Sequence, residues 1–148
     1  MSKSSPRAPK GFNPFADHIG LSVFRPAGGR CRASFPVRDE LLNPNRVLHG
    51  GVTYSMVDTA MGAAIHSLLE KGDACVTIEI KMHYLKPVRD GRVSCAAKVI
   101  QCGKRIAIVS ADVKNHGKLV ATAIGTFAGI PHPHRGEPRA ADEGSPSP

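Results

Sequence analysis

Asn43-Pro-Asn-Arg-Val-Leu-His49-Gly50-Gly51-Val-Thr-Tyr-Ser-Met-Val-Asp58-Thr-Ala-Met-Gly62-Ala-Ala-Ile-His-Ser-Leu-Leu69 is the stretch on which the reading of this chain turns. From Gly50 to about Leu69 it is almost entirely apolar. Val52, Met56, Ala60, Ala64 and Leu68 recur every four residues, and Met61 and Ile65 widen the stripe, so the spacing predicts a helix. A helix apolar on most sides is a buried one, and something must wrap it.

The flanks supply strands. Upstream, Ile19, Leu21 and Val23 alternate with smaller or polar residues, Pro26 to Gly29 reads as a turn, and Cys31, Ala33 and Phe35 alternate again. That pattern predicts a hairpin. Downstream of Lys71-Gly72-Asp73 the period changes to two. Val76, Ile78, Ile80 and Met82 point one way, and Thr77, Glu79, Lys81 and His83 the other. Further strands are expected at 92–101, 104–114 and 118–128, separated by turns at Asp90-Gly91, Cys102-Gly103 and Asn115-His116-Gly117. Short turns make antiparallel neighbours. The expected class is α+β, a curved antiparallel sheet around one long buried helix. Apolar residues on both faces of the last strands predict that the outer face meets another subunit.

A length of 148 residues suits one domain, placed at 12–130 between disordered tails at 1–11 and 131–148 that are rich in Ser, Pro, Gly and charge. The net charge of +8 favours anionic ligands. The charge is scattered, with no Arg/Lys run interleaved with aromatics, so a phosphate-rich small molecule is expected rather than nucleic acid. Cys31, Cys75, Cys95 and Cys102 form no CxxC pair, and His132 and His134 lack a third ligand, so neither a disulfide nor a metal site is expected. With no apolar segment of signal or spanning length, the expected location is the cytoplasm and not the membrane.

Two features of the quoted stretch carry chemistry. His49-Gly50-Gly51 at a helix start leaves main-chain N–H groups bare, which suits a developing oxyanion, or else makes a tight packed turn. Asp58 is the sole acid between Glu40 and Glu70 and sits two turns inside the apolar helix. A buried lone carboxylate is costly, so it either has a chemical role or faces outward.

Asn43…His49-Gly50-Gly51…Asp58-Thr-Ala-Met-Gly62, Val76-Thr-Ile-Glu-Ile-Lys-Met-His-Tyr-Leu-Lys-Pro-Val88…Gly91 and Gly103-Lys-Arg-Ile-Ala107 together resemble the signature of the PaaI-type hotdog thioesterases, relatives of the 4-hydroxybenzoyl-CoA thioesterases. The resemblance implies a five- or six-stranded hotdog sheet and hydrolysis of an acyl-CoA by a homodimer or a dimer of dimers. CoA would be part of the substrate, and no cofactor or metal would be needed. It implies Asp58 as general base or nucleophile, the Gly50 N–H on the thioester carbonyl, Asn43 holding that carbonyl or the water, and Thr77 orienting the water. His49 and Gly51 would complete the turn at the substrate. Lys104 and Arg105, with Arg89 as a weaker candidate, either offer cations for CoA phosphates or are ordinary solvated turn charges, and Tyr84, Leu85 and Met61 either line the acyl pocket or are plain core. Gly50 and Asp58 are eight residues apart, about 12 Å along one helix. Both reach one carbon only if a partner subunit supplies one of them. The rival readings are an acyl-thioester dehydratase of the same fold, which would pair Asp58 with a histidine, and a non-catalytic acyl-CoA-binding protein.

Overall fold

In the computed structural model, residues 11–130 are described. The predicted tails, His132 and His134 included, lie outside the described residues except for Gly11. The element order is α1 (Pro14–His18), β1 (Ser22–Val23), β2 (Arg30–Pro36), a 3-10 turn (Asp39–Leu41), α2 (Gly50–His66), β3 (Ala74–Tyr84), β4 (Arg92–Cys102), β5 (Ile106–Asn115) and β6 (Lys118–Ile130).

The six strands form one antiparallel sheet in the order β1-β2-β4-β5-β6-β3, curled around α2. This is the hotdog arrangement. The helix buries Met56, Val57, Ala60, Met61, Ala64 and Ile65 against the concave face, where Phe35, Val93, Val109, Val113 and Phe127 meet them. Full burial of one such side chain contributes about 1.5–3 kcal/mol, so this seam between helix and sheet holds the fold. At Gly125 the sheet packs close under the helix: a Cβ there would stand 2.9 Å from the Met61 sulfur and 3.0 Å from the Phe127 ring, so these side chains would have to shift.

Three expectations change. The N-terminal strand is shorter than its alternation suggested, because Asn13 caps a helical turn instead: its Oδ1 accepts from the Ala16 N–H at 3.0 Å, with Pro14 in the first turn. Ile19 ends that turn rather than entering a strand, although Ile19 and Leu21 are both buried as expected. Helix α2 stops at His66, short of Leu69. The Ser67 hydroxyl donates to the Ala64 carbonyl and accepts from the Gly29 N–H, which ties the helix end to the β1–β2 turn. In β3 a bulge between Thr77 and Glu79 inserts Ile78 as an extra residue. The expected separation of Val76, Ile78, Ile80 and Met82 from Thr77 therefore fails. Thr77, opposite the buried Phe127, shares the helix-facing side with Ile80 and Met82, whereas Val76 and Ile78 face outward.

Among the described residues nothing covers two surfaces. Strand β3, eleven residues long, is an edge of the sheet with one side of its ladder unpaired. On the convex face Val76, Ile78, Ile106 and Ile124 are all exposed. No helix among the described residues is long and apolar enough to cross a membrane.

Candidate active site

The core-facing side of α2 leaves an opposite stripe at helical spacing: Tyr54, Asp58, Gly62 and His66, none of them buried. The chemistry-bearing residues gather at the start of the helix, around Asp58 and on the segments that flank the stripe.

At the N-terminal end His49 caps the helix, its Nδ1 accepting from the Gly51 N–H at 2.9 Å. The Val52 N–H bonds the His49 carbonyl. Among the described residues the Gly50 N–H has no acceptor, and it lies where the helix's positive end concentrates. Tyr84 reaches across from the end of β3, and its hydroxyl donates to the Gly50 carbonyl at 2.7 Å. Burial, and then nearby Tyr54, push the Tyr84 phenol above its ordinary value, so it remains a proton donor. A Cβ on Gly50 would meet the Tyr84 ring at 3.2 Å. His49 thus caps the helix, with the Gly51 N–H as its donor.

Asn43 organises the preceding loop. Its Oδ1 accepts from the N–H groups of Asn45 (2.9 Å) and Val47 (3.3 Å), and its Nδ2 stays outside those bonds. The Asn43 and Val47 main chains pair as well, with the Asn43 N–H on the Val47 carbonyl.

Two turns into α2, Asp58 is half-buried, and the Thr77 hydroxyl donates to its Oδ1 at 2.6 Å. The bulge in β3 makes this contact possible by turning Thr77 toward the helix. Thr77, expected to orient a water, holds the carboxylate itself. One Asp58 oxygen stays outside this bond. Cys75, one step earlier on the same face of β3, has its thiol pushed up by burial, then by Asp58 and Cys102. All four cysteines are free, and burial raises Cys31 to about 11 and Cys95 to about 12, so these two are packing groups.

Two cavities flank the stripe. One, of about 320 Å³, lies against Gly50 and Thr53 and is walled by Tyr84, Leu85, Lys86 and Val88. The other, of about 880 Å³, opens beside Asp58 and Thr77. It occupies the seam where the two sheet edges, β1 and β3, face each other across α2.

The remaining sequence-predicted residues lie apart from one another. Met61 is wholly buried under Gly125 and lines neither cavity; it is core. Tyr84 and Leu85 wall the cavity at Gly50, not the one beside Asp58. Arg89 precedes β4, while Lys104 and Arg105 follow it, so a strand of about 33 Å separates them within one chain. All three cations are exposed. Sequence reasoning did not reach the Tyr84–Gly50 bond or the α1 wall of the larger cavity, although the Asn13-Pro14 pair is a legible helix start. Among the described residues no three His, Cys, Asp or Glu side chains gather at metal-binding distance.

A family model described as "Thioesterase superfamily" matches residues 45–122, from the loop before α2 into β6. The conserved protein PA5202 of Pseudomonas aeruginosa superposes with a TM-score of 0.78 at 34% identity, over 82% of this chain and 100% of that one. The thioesterase HI1161 of Haemophilus influenzae gives 0.75 at 29% identity, over 80% and 84%. Human acyl-coenzyme A thioesterase 13 is 30% identical over 104 residues, which is 68% of this chain and 74% of that protein.

Proposed function

The chain belongs to the thioesterase superfamily, and from that premise we propose that it hydrolyses acyl-CoA at a site shared between two subunits of a homodimer. Thioester hydrolysis needs a nucleophile and a stabilised oxyanion. A thioester carbonyl is already electrophilic, and CoA arrives as part of the substrate.

The observation that carries the reading is the separation of Asp58 from Gly50 on one straight helix. Asp58, steadied by Thr77, is the base or nucleophile; the Gly50 N–H, at the positive end of the helix, is the oxyanion donor. About 12 Å of helix separates them. A second copy with its α2 antiparallel to the first sets one subunit's Gly50 against the other's Asp58. The long open edge of β3 supports this dimer, since antiparallel pairing of two β3 edges continues the sheet and satisfies the unpaired ladder. The outward Val76, Ile78, Ile106 and Ile124 support a further dimer of dimers. Asn43 steadies the loop that presents Gly50, and its Nδ2 faces the task of holding the carbonyl or the water. His66, the histidine available to a dehydratase on this helix, stands two turns beyond Asp58.

The test mixes two defective chains, Asp58→Ala and Asn43→Ala, by joint unfolding and refolding. A shared site predicts that each mixed dimer holds one site with both defects and one wild-type site. Random pairing makes half the dimers mixed, so roughly a quarter of normal thiol release from acyl-CoA returns. No recovery, with mixed dimers confirmed by mass, refutes the shared site. No thiol release by the wild type refutes the hydrolysis of acyl-CoA.

A further inference from the structure

The larger cavity begins at Asp58 and Thr77 and then follows α2 away from Gly50. From the geometry we infer that it receives the acyl chain as an extended, unbranched group of medium length, and that Gly62 sets how far the chain runs. This rests on the reading of Asp58 as the group that meets the thioester carbonyl.

Three features argue for this occupant. The first is length. Along the stripe Asp58–Gly62–His66, eight residues of helix measure about 12 Å. An extended chain advances about 1.2 Å per bond, the value implied by a fully extended backbone, so the run holds about ten bonds. The second is wall chemistry. Between Asp58 and His66 the helix contributes only Thr59, Gly62 and Ala63, and the facing walls include Ala16, Leu21, Val23 and Phe127. Asp17 and Arg25 also line it, from the α1 and β1 side. The third is space. At about 880 Å³ the cavity far exceeds what a two- or four-carbon acyl group fills, and a single aromatic ring would occupy only the part nearest Asp58.

Gly62 is where the chain must pass. It lies one turn beyond Asp58 on the same face, and a Cβ built there meets nothing within 4 Å. Within one chain no packing or backbone demand calls for glycine at this position. Glycine in a helix interior costs about 1 kcal/mol relative to alanine. What its absent side chain leaves open is the cavity.

The test compares butyryl-CoA, decanoyl-CoA and phenylacetyl-CoA on the full-length wild type, Gly62→Ala and Gly62→Leu. Each additional buried CH₂ favours the longer chain, so wild-type kcat/KM is expected at least about tenfold higher for decanoyl-CoA than for butyryl-CoA. Within one chain the Cβ that Gly62→Leu adds meets nothing within 4 Å and the helix gains a better helix former, so thermal unfolding should shift upward or stay unchanged. It should lower kcat/KM for decanoyl-CoA at least about tenfold while changing butyryl-CoA less than about twofold, with Gly62→Ala between. Equal losses on both substrates, no loss on decanoyl-CoA, or a wild type that prefers phenylacetyl-CoA to decanoyl-CoA would each overturn the inference. Absence of thiol release from all three substrates is a separate failure: it removes the hydrolase reading and this one with it.

Discussion

Two places on α2, its start at Gly50 and Asp58 two turns further on, are made of different material. On the proposed reading the working group at Gly50 is main chain: an N–H at the positive end of the helix, with His49 capping one neighbour and Tyr84 gripping the carbonyl. At Asp58 it is a side chain, a carboxylate fixed by the Thr77 hydroxyl. One end attracts negative charge and the other supplies it. Helical rise keeps the two about 12 Å apart, so on the proposed reading one chain holds both halves of the chemistry without bringing them to one carbon. The two ends should therefore fail differently when altered.

The largest effect belongs to the carboxylate. Asp58→Asn keeps size and hydrogen bonding to Thr77 while removing the base, so turnover should fall at least about a hundredfold, with the circular dichroism spectrum intact. A folded mutant with near-normal thiol release would dissolve the distinction between the two ends. Thr77→Val comes next. It keeps shape but removes the donor that fixes Asp58, and a bond to a charged group lost at a reacting centre should cost about tenfold in kcat with KM nearly constant. An unchanged kcat would make the Thr77 contact incidental.

The cations separate the same two ends. Arg89 adjoins Val88, which walls the cavity at Gly50, whereas the Arg105 carbonyl bonds Gly129, the partner of Cys75 near the Asp58 end. Replacing Lys104 and Arg105 together with Ala should raise KM for acyl-CoA about fivefold and leave acyl-pantetheine, which lacks the nucleotide, unaffected. A larger effect from Arg89→Ala would place the nucleotide at the Gly50 end instead.

The sequence made the wrapped helix legible because a period of four in Val52, Met56, Ala60 and Ala64 stands beside a period of two in the strands. Asp58 was legible by isolation, and His49-Gly50-Gly51 by its place at a helix start. Neither periodicity nor composition showed which way Thr77 faces, since one bulge reverses the alternation and a bulge leaves no mark in the order of apolar residues. Met61 fits the buried stripe by spacing alone, and the structure buries it there, against Gly125. Tyr84 and Gly50 lie 34 residues apart, so their contact is a product of tertiary packing that local sequence does not encode.

The smallest expected effect, and the finest probe of the main-chain end, is Tyr84→Phe. The hydroxyl donates to the Gly50 carbonyl at 2.7 Å, and the ring lies against the Gly50 α-carbon. The bond steadies the first peptide of the helix, and so the direction of the N–H on the other side of that residue. Because the Tyr84 phenol is pushed above its ordinary value, it stays a donor across an assay range of about pH 6 to 9. The phenyl ring of the variant keeps the packing, so the fold should hold. With a donor outside the reacting pair removed, kcat should fall about threefold and KM should hardly move, since the oxyanion forms only in the transition state. The loss should be the same for butyryl- and decanoyl-CoA, because both present the same carbonyl to Gly50. Unchanged kcat would mean that helix geometry alone aims the N–H. A loss as deep as that of Asp58→Asn would mean that Tyr84 takes part in the chemistry directly.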